Sequence, residues 1–106
     1  MKLIFIVIAV VAILIINHFF NNTTSSSKFV MYYADWCHHC QTAKPEFLKL
    51  RSRYHKTPCI LVNEKEMTEN IEGFPTFILY KNNKKIFYEG NRTLNDFVLF
   101  LNKHNI

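Results

Sequence analysis

The feature that most constrains the fold of this sequence is its N-terminal apolar run. Residues 3–16 read LIFIVIAVVAILII without interruption, and Phe19 and Phe20 extend the run beyond two polar residues. A helix needs about 20 mostly apolar residues to cross the hydrocarbon core of a bilayer. We therefore interpret residues 1–20 as a transmembrane anchor. A cleaved signal peptide is the alternative, but the run is long for such a segment and no helix breaker separates it from the Ser and Thr residues that follow.

The charges that flank this run predict its orientation. Lys2 and the α-amine precede it, whereas the first positive charge after it is Lys28. Positive flanking charge favours the cytosolic side of a membrane. We therefore expect a single-pass protein that contacts the membrane through residues 3–20 and places the rest of its chain on the non-cytosolic side, in a lumen, a periplasm or the exterior. Disulfides persist in such compartments.

The rest of the chain divides into a linker and one domain. Residues 21–27, NNTTSSS, are polar and predict a flexible linker. Residues 28–106 are enough for one domain with a modest core. The formal charge of +5 comes from Lys and Arg residues spread along the chain. Scattered charge is typical of a solvated surface, and without a basic patch or a base-stacking motif we predict no nucleic-acid partner.

Hydrophobic periodicity predicts an α/β domain. Strands are indicated by runs of β-branched and aromatic residues, and helices by apolar residues three and four apart. The predicted elements are a strand at 28–34, a helix from Cys37 to about residue 55, a strand at 59–63, a hairpin of 74–80 and 84–90, and a helix capped by Thr93. The polar segment 64–72 is expected to form a helical turn or two. A right-handed crossover makes the first two strands parallel and the hairpin adds antiparallel strands, which gives a four-stranded mixed sheet flanked by helices.

The motif WCHHC, residues 36–40, carries the chemistry. Cys37 falls at the predicted start of the first helix, where unpaired N–H groups and the helix dipole favour a thiolate. The thiolate is the attacking species in disulfide exchange, so Cys37 is the candidate nucleophile and Cys40, one turn deeper, the candidate resolving thiol. Between them, partly protonated His38 and His39 stabilise the reduced form and make the disulfide a stronger oxidant.

A metal site is the main chemical alternative for these residues. Neighbours on a helix point about 100° apart, so four consecutive residues do not hold one metal tetrahedrally. The remaining histidines, His18, His55 and His104, are scattered. Covalent haem attachment requires a histidine directly after the second cysteine, where this sequence has Gln41. We therefore predict no metal site.

Two stretches resemble the thioredoxin superfamily, and most closely the catalytic domains of protein disulfide isomerases. These are FVMYYADWCHHCQTAKPEF (29–47) and GFPTFILYKNNKKIFYEGNRTLNDFVLFL (73–101). The resemblance rests on Trp36 before the dithiol, on Pro45 five residues after Cys40 and on the Phe74-Pro75-Thr76 loop. It implies a minimal thioredoxin-like fold, because the strand and helix that commonly precede the active-site strand are missing.

The resemblance also implies roles for individual residues. Pro75 is expected to be cis and to place the backbone of Phe74 beside the dithiol, where the loop that ends at Thr76 pairs with an extended substrate. Arg92 matches an arginine that, in disulfide isomerases, approaches the resolving cysteine and lowers its pKa. A solvated loop residue is the alternative interpretation of Arg92.

The sequence also departs from the family. Members usually bury an acidic residue six positions before the first cysteine and often pair it with a lysine on the next strand. Met31 and Leu61 occupy those positions here. Losing both partners is compatible with an apolar core, but proton transfer to and from Cys40 must then rely on the nearby histidines, the arginine or water. The third cysteine, Cys59, is interpreted as a small core residue on a buried strand.

Together these features predict a membrane-anchored protein thiol–disulfide oxidoreductase. Its partners would be cysteine-containing protein substrates, in which it forms or isomerises disulfides. The exchange needs no cofactor, but re-oxidation requires a redox partner such as a flavin sulfhydryl oxidase or a quinone-linked membrane oxidoreductase. Two alternatives remain: a disulfide reductase kept reduced by an upstream donor, and a peptide-binding module with little redox turnover.

Overall fold

The computed structural model describes residues 2–22 and 27–106. Its elements are α1 (Lys2–Asn22), β1 (Ser27–Tyr33), α2 (His38–Arg53), β2 (Cys59–Asn63), β3 (Thr76–Lys81), β4 (Lys84–Phe87) and α3 (Leu94–Lys103). The linker predicted at 21–27 falls mainly on residues 23–26, which lie outside the described residues. Its ends are described and belong to elements, since Asn21 and Asn22 close α1 and Ser27 opens β1.

The N-terminal helix α1 carries the apolar run. Its large apolar side chains from Leu3 to Ile16 are exposed. Among the residues that the structure describes, no helix combines the length and the apolar character needed to cross a membrane. The structure therefore does not support the transmembrane anchor predicted at residues 1–20.

The four strands form one mixed sheet in the order β2-β1-β3-β4. β1 and β2 are parallel, whereas β3 is antiparallel to both β1 and β4. The predicted four-stranded mixed sheet is thus confirmed. The turn between β3 and β4 consists of Asn82 and Asn83, with φ values of 52° and 62°. Asparagine tolerates this left-handed conformation, which matches the twist of a two-residue hairpin.

The main core lies between one face of the sheet and the helices α2 and α3. α2 buries residues at helical spacing, among them Ala43, Phe47 and Leu50, and α3 buries Phe97. The fully buried Phe29 of β1 is central, because its ring lies 5.6 Å from that of Phe47 and 5.9 Å from that of Phe97. This packing fixes α2 against β1 and so sets the position of the loop between them.

The other face of the sheet is covered by an irregular segment. Val30 and Ile78 are buried there against Met67 and Ile71. Of the helical turn or two expected at 64–72, the structure has one hydrogen-bonded turn at 64–66, in which the N–H of Glu66 donates to the carbonyl of Asn63 at 2.9 Å, and the rest of the segment is irregular. The Asn63 side chain accepts the N–H of Lys65 at 3.1 Å, and such a side-chain turn competes with helix formation. The segment therefore runs along the sheet and leads into the loop at Phe74.

Candidate active site

The two cysteines of the WCHHC motif lie at the start of α2. The N–H of Cys37 donates to the carbonyl of Ala34 at 3.1 Å, which closes the loop that follows β1. Cys37 is the N-cap of α2, and its Sγ accepts the N–H of Cys40 at 3.2 Å. The sulfur thus satisfies a helix N–H that would otherwise lack a partner. The predicted position of Cys37 at the helix start is confirmed, and both cysteines are free thiols.

Cys40 is the more deeply buried of the two thiols. Its exposed fraction is 2%, compared with 5% for Cys37. Burial raises the pKa of Cys40 from its ordinary 9.0 to about 11, and the hydrogen bond with Cys37 acts in the same direction. The charge of Arg92 lowers the pKa of Cys40, but by less. Cys40 is therefore held as a neutral thiol near pH 7, and any step in which it attacks or leaves requires a proton transfer.

The two histidines between the cysteines face solvent. His38 and His39 lie in the first turn of α2, and both are exposed. Their ring centroids are 6.1 Å apart. Within residues 2–22 and 27–106, no three potential metal ligands lie together. The histidines are thus accessible to a substrate or to water.

The predicted substrate-binding loop lies against the dithiol loop, which is the segment from Ala34 to Cys37. The Phe74–Pro75 peptide bond is cis. The ring of Phe74 meets that of Trp36 edge-to-face, with centroids 5.9 Å apart. The hydroxyl of Thr76 donates to the carbonyl of Gly73 at 2.6 Å and closes the loop on itself. The fold thus brings the Phe74-Pro75-Thr76 loop to Trp36, the residue before the candidate nucleophile Cys37.

One residue that sequence reasoning missed is Glu64. The indole N–H of Trp36 donates to Glu64 Oε1 at 2.7 Å, and the backbone N–H of Glu64 donates to the carbonyl of Tyr33 at 2.8 Å. Glu64 directly follows β2, and β2 is parallel to β1. The carboxyl ends of neighbouring parallel strands meet at one edge of a sheet, so a polar residue just after 59–63 was a detectable signal.

Asp35 ties the dithiol loop to the turn after β2 at a second point. Asn63 Nδ2 donates to Asp35 Oδ1 at 3.2 Å, and Lys65 Nζ lies 3.9 Å from Asp35 Oδ2. Exposed ion pairs contribute only about 0–1 kcal/mol to stability. The contribution of these contacts is therefore to position the loop rather than to stabilise the fold.

The two departures from the family pattern are neighbours in the sheet. Met31 of β1 is paired in register with Leu61 of β2. Met31 is fully buried in the same cluster as Cys37 and Cys40, and Leu61 packs against that cluster. A charged pair at these positions would lie in the core beside the dithiol, and here the space is filled by apolar side chains.

Cys59 lies away from the dithiol. It opens β2 opposite Phe29, whereas the dithiol follows the far end of β1. Its side chain is buried in the core, and burial raises the pKa of the Cys59 thiol to about 11. The interpretation of Cys59 as a core residue is consistent with this position.

A family profile described as Thioredoxin matches residues 11–103. The chain belongs to the thioredoxin family. The Saccharomyces cerevisiae protein disulfide-isomerase is 35% identical over 85 residues, which are 71% of this chain and 16% of that protein. A Schizosaccharomyces pombe protein provisionally named a protein disulfide-isomerase is 40% identical over 83 residues, 71% of this chain and 17% of that protein. This thioredoxin-family chain thus spans about one sixth of the length of these curated relatives.

Solved structures show the same relationship for this thioredoxin-family domain. The first two thioredoxin domains of Eps1p from Naumovozyma dairenensis superpose with a TM-score of 0.65 at 27% identity. The match covers 81% of this chain and 39% of that one. The fold described above is therefore that of a thioredoxin domain.

Proposed function

We propose that this chain is a thiol–disulfide oxidoreductase that forms or isomerises disulfides in cysteine-containing proteins. The observation that carries the proposal is the placement of Cys37 and Cys40 at the N-terminus of α2, beside the Phe74–Pro75 loop. A sulfur at a helix N-terminus is stabilised as a thiolate, and a loop next to it offers backbone groups to a substrate. The similarity to protein disulfide-isomerases supports the same function.

In the oxidising direction the enzyme begins with a Cys37–Cys40 disulfide. A substrate thiolate attacks the Cys37 sulfur, the bond to Cys40 breaks, and Cys40 leaves as a thiolate that takes up a proton. A second substrate thiolate then attacks the substrate sulfur of the mixed disulfide and releases Cys37. The substrate gains a disulfide, and the two electrons and two protons it loses remain on the Cys37–Cys40 dithiol.

In isomerisation the reduced enzyme acts first. The Cys37 thiolate attacks a substrate disulfide, and the released substrate thiol is free to attack another disulfide. If the rearrangement stalls, Cys40 loses its proton, attacks Cys37 and releases the substrate in reduced form. Each oxidising cycle leaves the enzyme reduced, so a redox partner must accept the electrons. A flavin sulfhydryl oxidase or a quinone-linked membrane oxidoreductase has the required chemistry.

The direction of the reaction depends on the reduction potential. An imidazolium near the Cys37 thiolate stabilises the dithiol, and this makes the disulfide a better oxidant. With His38 and His39 exposed in the first turn of α2, we expect a potential nearer about −180 mV than the roughly −270 mV of thioredoxin. Equilibration with glutathione buffers measures this value. A potential at or below that of thioredoxin would instead identify a reductase.

Substrate trapping tests the proposal itself. In Cys40→Ser the resolving thiol is absent, so mixed disulfides between Cys37 and substrate proteins should accumulate and be visible on non-reducing gels. Cys37→Ser should trap none. Cys59→Ser is the matched control and should behave like the wild type, because Cys59 lies at the far end of the sheet. If Cys40→Ser traps no more than Cys37→Ser does, the chain is a peptide-binding module rather than an oxidoreductase.

We also propose that α1 attaches the domain to a membrane and leaves it on the non-cytosolic side. The support is the uninterrupted apolar sequence of residues 3–16 and the exposure of those side chains. The full chain should then stay with membranes after alkaline carbonate extraction, and residues 28–106 should resist protease in sealed vesicles until detergent is added. Release into the carbonate supernatant would contradict membrane attachment without affecting the redox proposal.

A further inference from the structure

A groove of about 400 Å³ adjoins the cis-proline loop. It is lined by Asn70, Ile71, Glu72, Gly73, Thr76 and Phe87. Gly73 and Thr76 flank Phe74–Pro75 directly, and the hydrogen bond between them makes this side of the loop compact. A substrate strand that pairs with the backbone of Phe74 would therefore place a neighbouring side chain at this groove.

The groove presents an apolar wall and a negative charge. Phe87 on the edge strand β4 leaves 57% of its surface exposed, although phenylalanine is usually buried. Glu72 is exposed, and within the described residues it forms no ion pair. An aromatic ring binds a cation through its face, and a carboxylate binds the same cation by charge.

A larger groove, of about 480 Å³, has the opposite character. It lies at the hairpin turn and includes Lys28, Lys81, Lys84 and Lys85. None of the candidate active-site residues lines it. The two grooves thus differ in charge, and only the groove at Glu72 adjoins the loop beside the dithiol.

We propose that the groove at Glu72 and Phe87 is a substrate subsite for a lysine or arginine side chain that lies close in sequence to the reactive cysteine. These side chains combine an apolar stem with a cationic end, so the stem covers the ring of Phe87 while the cation pairs with Glu72. An acidic side chain would be repelled by Glu72. This subsite rests on the proposed oxidoreductase function and adds a sequence preference to it.

The chain offers three informative variants. Glu72→Gln removes the charge, and Glu72→Lys inverts it. Gly73→Leu fills the groove, since a Cβ at Gly73 meets no atom within 4 Å and the residue has no positive φ. Glu66→Gln is the matched control, because Glu66 is also an exposed acid in the segment before the loop but does not line the groove.

Peptide pairs test the preference on the full chain. Each peptide contains one cysteine in a disulfide. The two peptides of a pair differ at one position, which is arginine in one and its neutral isostere citrulline in the other. Separate pairs place this position one or two residues before or after the cysteine. The measured quantity is kcat/KM for disulfide exchange. At one position we expect the arginine peptide to react about threefold faster, as for a well-placed exposed ion pair.

The variants then assign the preference to the groove. Glu72→Gln and Gly73→Leu should abolish the ratio, Glu66→Gln should retain it, and Glu72→Lys should favour a glutamate peptide over arginine. Equal rates at all positions in the wild type, or a preference that survives in Glu72→Gln, would overturn the subsite. Exchange with the citrulline peptide separates this result from a failure of the proposed function, because a wild-type protein that reacts with no peptide would overturn both.

Discussion

The burial of Cys40 predicts a steep pH dependence for the step in which this thiol resolves a mixed disulfide. With a pKa of about 11, only about one Cys40 side chain in 10⁴ is a thiolate at pH 7, compared with about one in 10² at its ordinary 9.0. The rate of attack follows the thiolate fraction. We therefore expect the resolving rate to rise about tenfold for each pH unit between pH 7 and pH 9.

The mixed disulfide itself changes the two contributions that Cys37 makes to this pKa, its hydrogen bond with Cys40 and its charge. Once the Cys37 sulfur is bonded to substrate, it no longer carries a charge that opposes ionisation of Cys40. Burial is the largest cause of the raised pKa, and it remains, because Cys40 lies in the core cluster with Met31 and Phe47. The midpoint of the resolving step is therefore expected to stay above 9.0.

Stopped-flow mixing of the reduced protein with an aromatic disulfide measures this step. A Cys59→Ala background leaves the WCHHC cysteines as the only thiols. The first phase forms the Cys37 mixed disulfide and depends on reagent concentration, whereas the second phase is attack by Cys40 and does not. Cys40→Ser should lack the second phase. A second-phase rate that reaches its plateau below pH 9 would refute the argument that burial controls Cys40.

Three further variants extend the same reasoning. Arg92→Ala removes a charge that lowers the pKa of Cys40, so it should slow the resolving phase a few-fold at pH 7, whereas Arg92→Lys keeps the charge and should not. Equal rates of this phase in the wild type and Arg92→Ala would show that Cys40 does not sense the charge of Arg92. Burial raises the pKa of the Cys59 thiol to about 11 in the folded state, whereas the unfolded thiol has its ordinary pKa of 9.0. Ionisation therefore favours the unfolded state, and the free energy of unfolding should fall between pH 9.0 and about pH 11. Denaturant titrations at pH 8 and pH 10 measure this fall, which should be smaller in Cys59→Ala than in the wild type. Equal losses of unfolding free energy in the two proteins would contradict this account. Met31→Glu alone should cost about 3–5 kcal/mol of unfolding free energy, while Met31→Glu with Leu61→Lys should regain part of it and speed the resolving phase; an unchanged rate in the folded double variant would exclude a proton-relay role for these positions.

The sequence predicted the elements that local patterns determine. Asn82 and Asn83 adopt the positive φ values that a two-residue hairpin needs, and Thr93 caps α3 by accepting the N–H of Asp96. Cys37 caps α2 as expected from the change of hydrophobic period there. In each case the deciding interactions lie within a few residues of one another, so the sequence contains them directly.

The parts that escaped prediction depend on contacts between distant residues. The bond from Trp36 to Glu64 joins residues 28 positions apart, and it exists only because β1 and β2 are parallel and end together. The segment 64–72 has helix-forming residues, but Met67 and Ile71 are used to cover the second face of the sheet. Tertiary packing overrode local propensity there, and no pattern within the segment reports it.

The contact between Trp36 and Phe74 has a consequence for how this protein can be observed. Trp36 is the only tryptophan in the chain, and it is the residue directly before Cys37, the proposed nucleophile. Its indole is hydrogen-bonded to Glu64 yet largely open to solvent. When the excitation wavelength selects tryptophan over the five tyrosines, the intrinsic fluorescence of the molecule therefore originates within the candidate active site. Oxidation of the dithiol or the arrival of a peptide at Phe74 should change that emission without any added label.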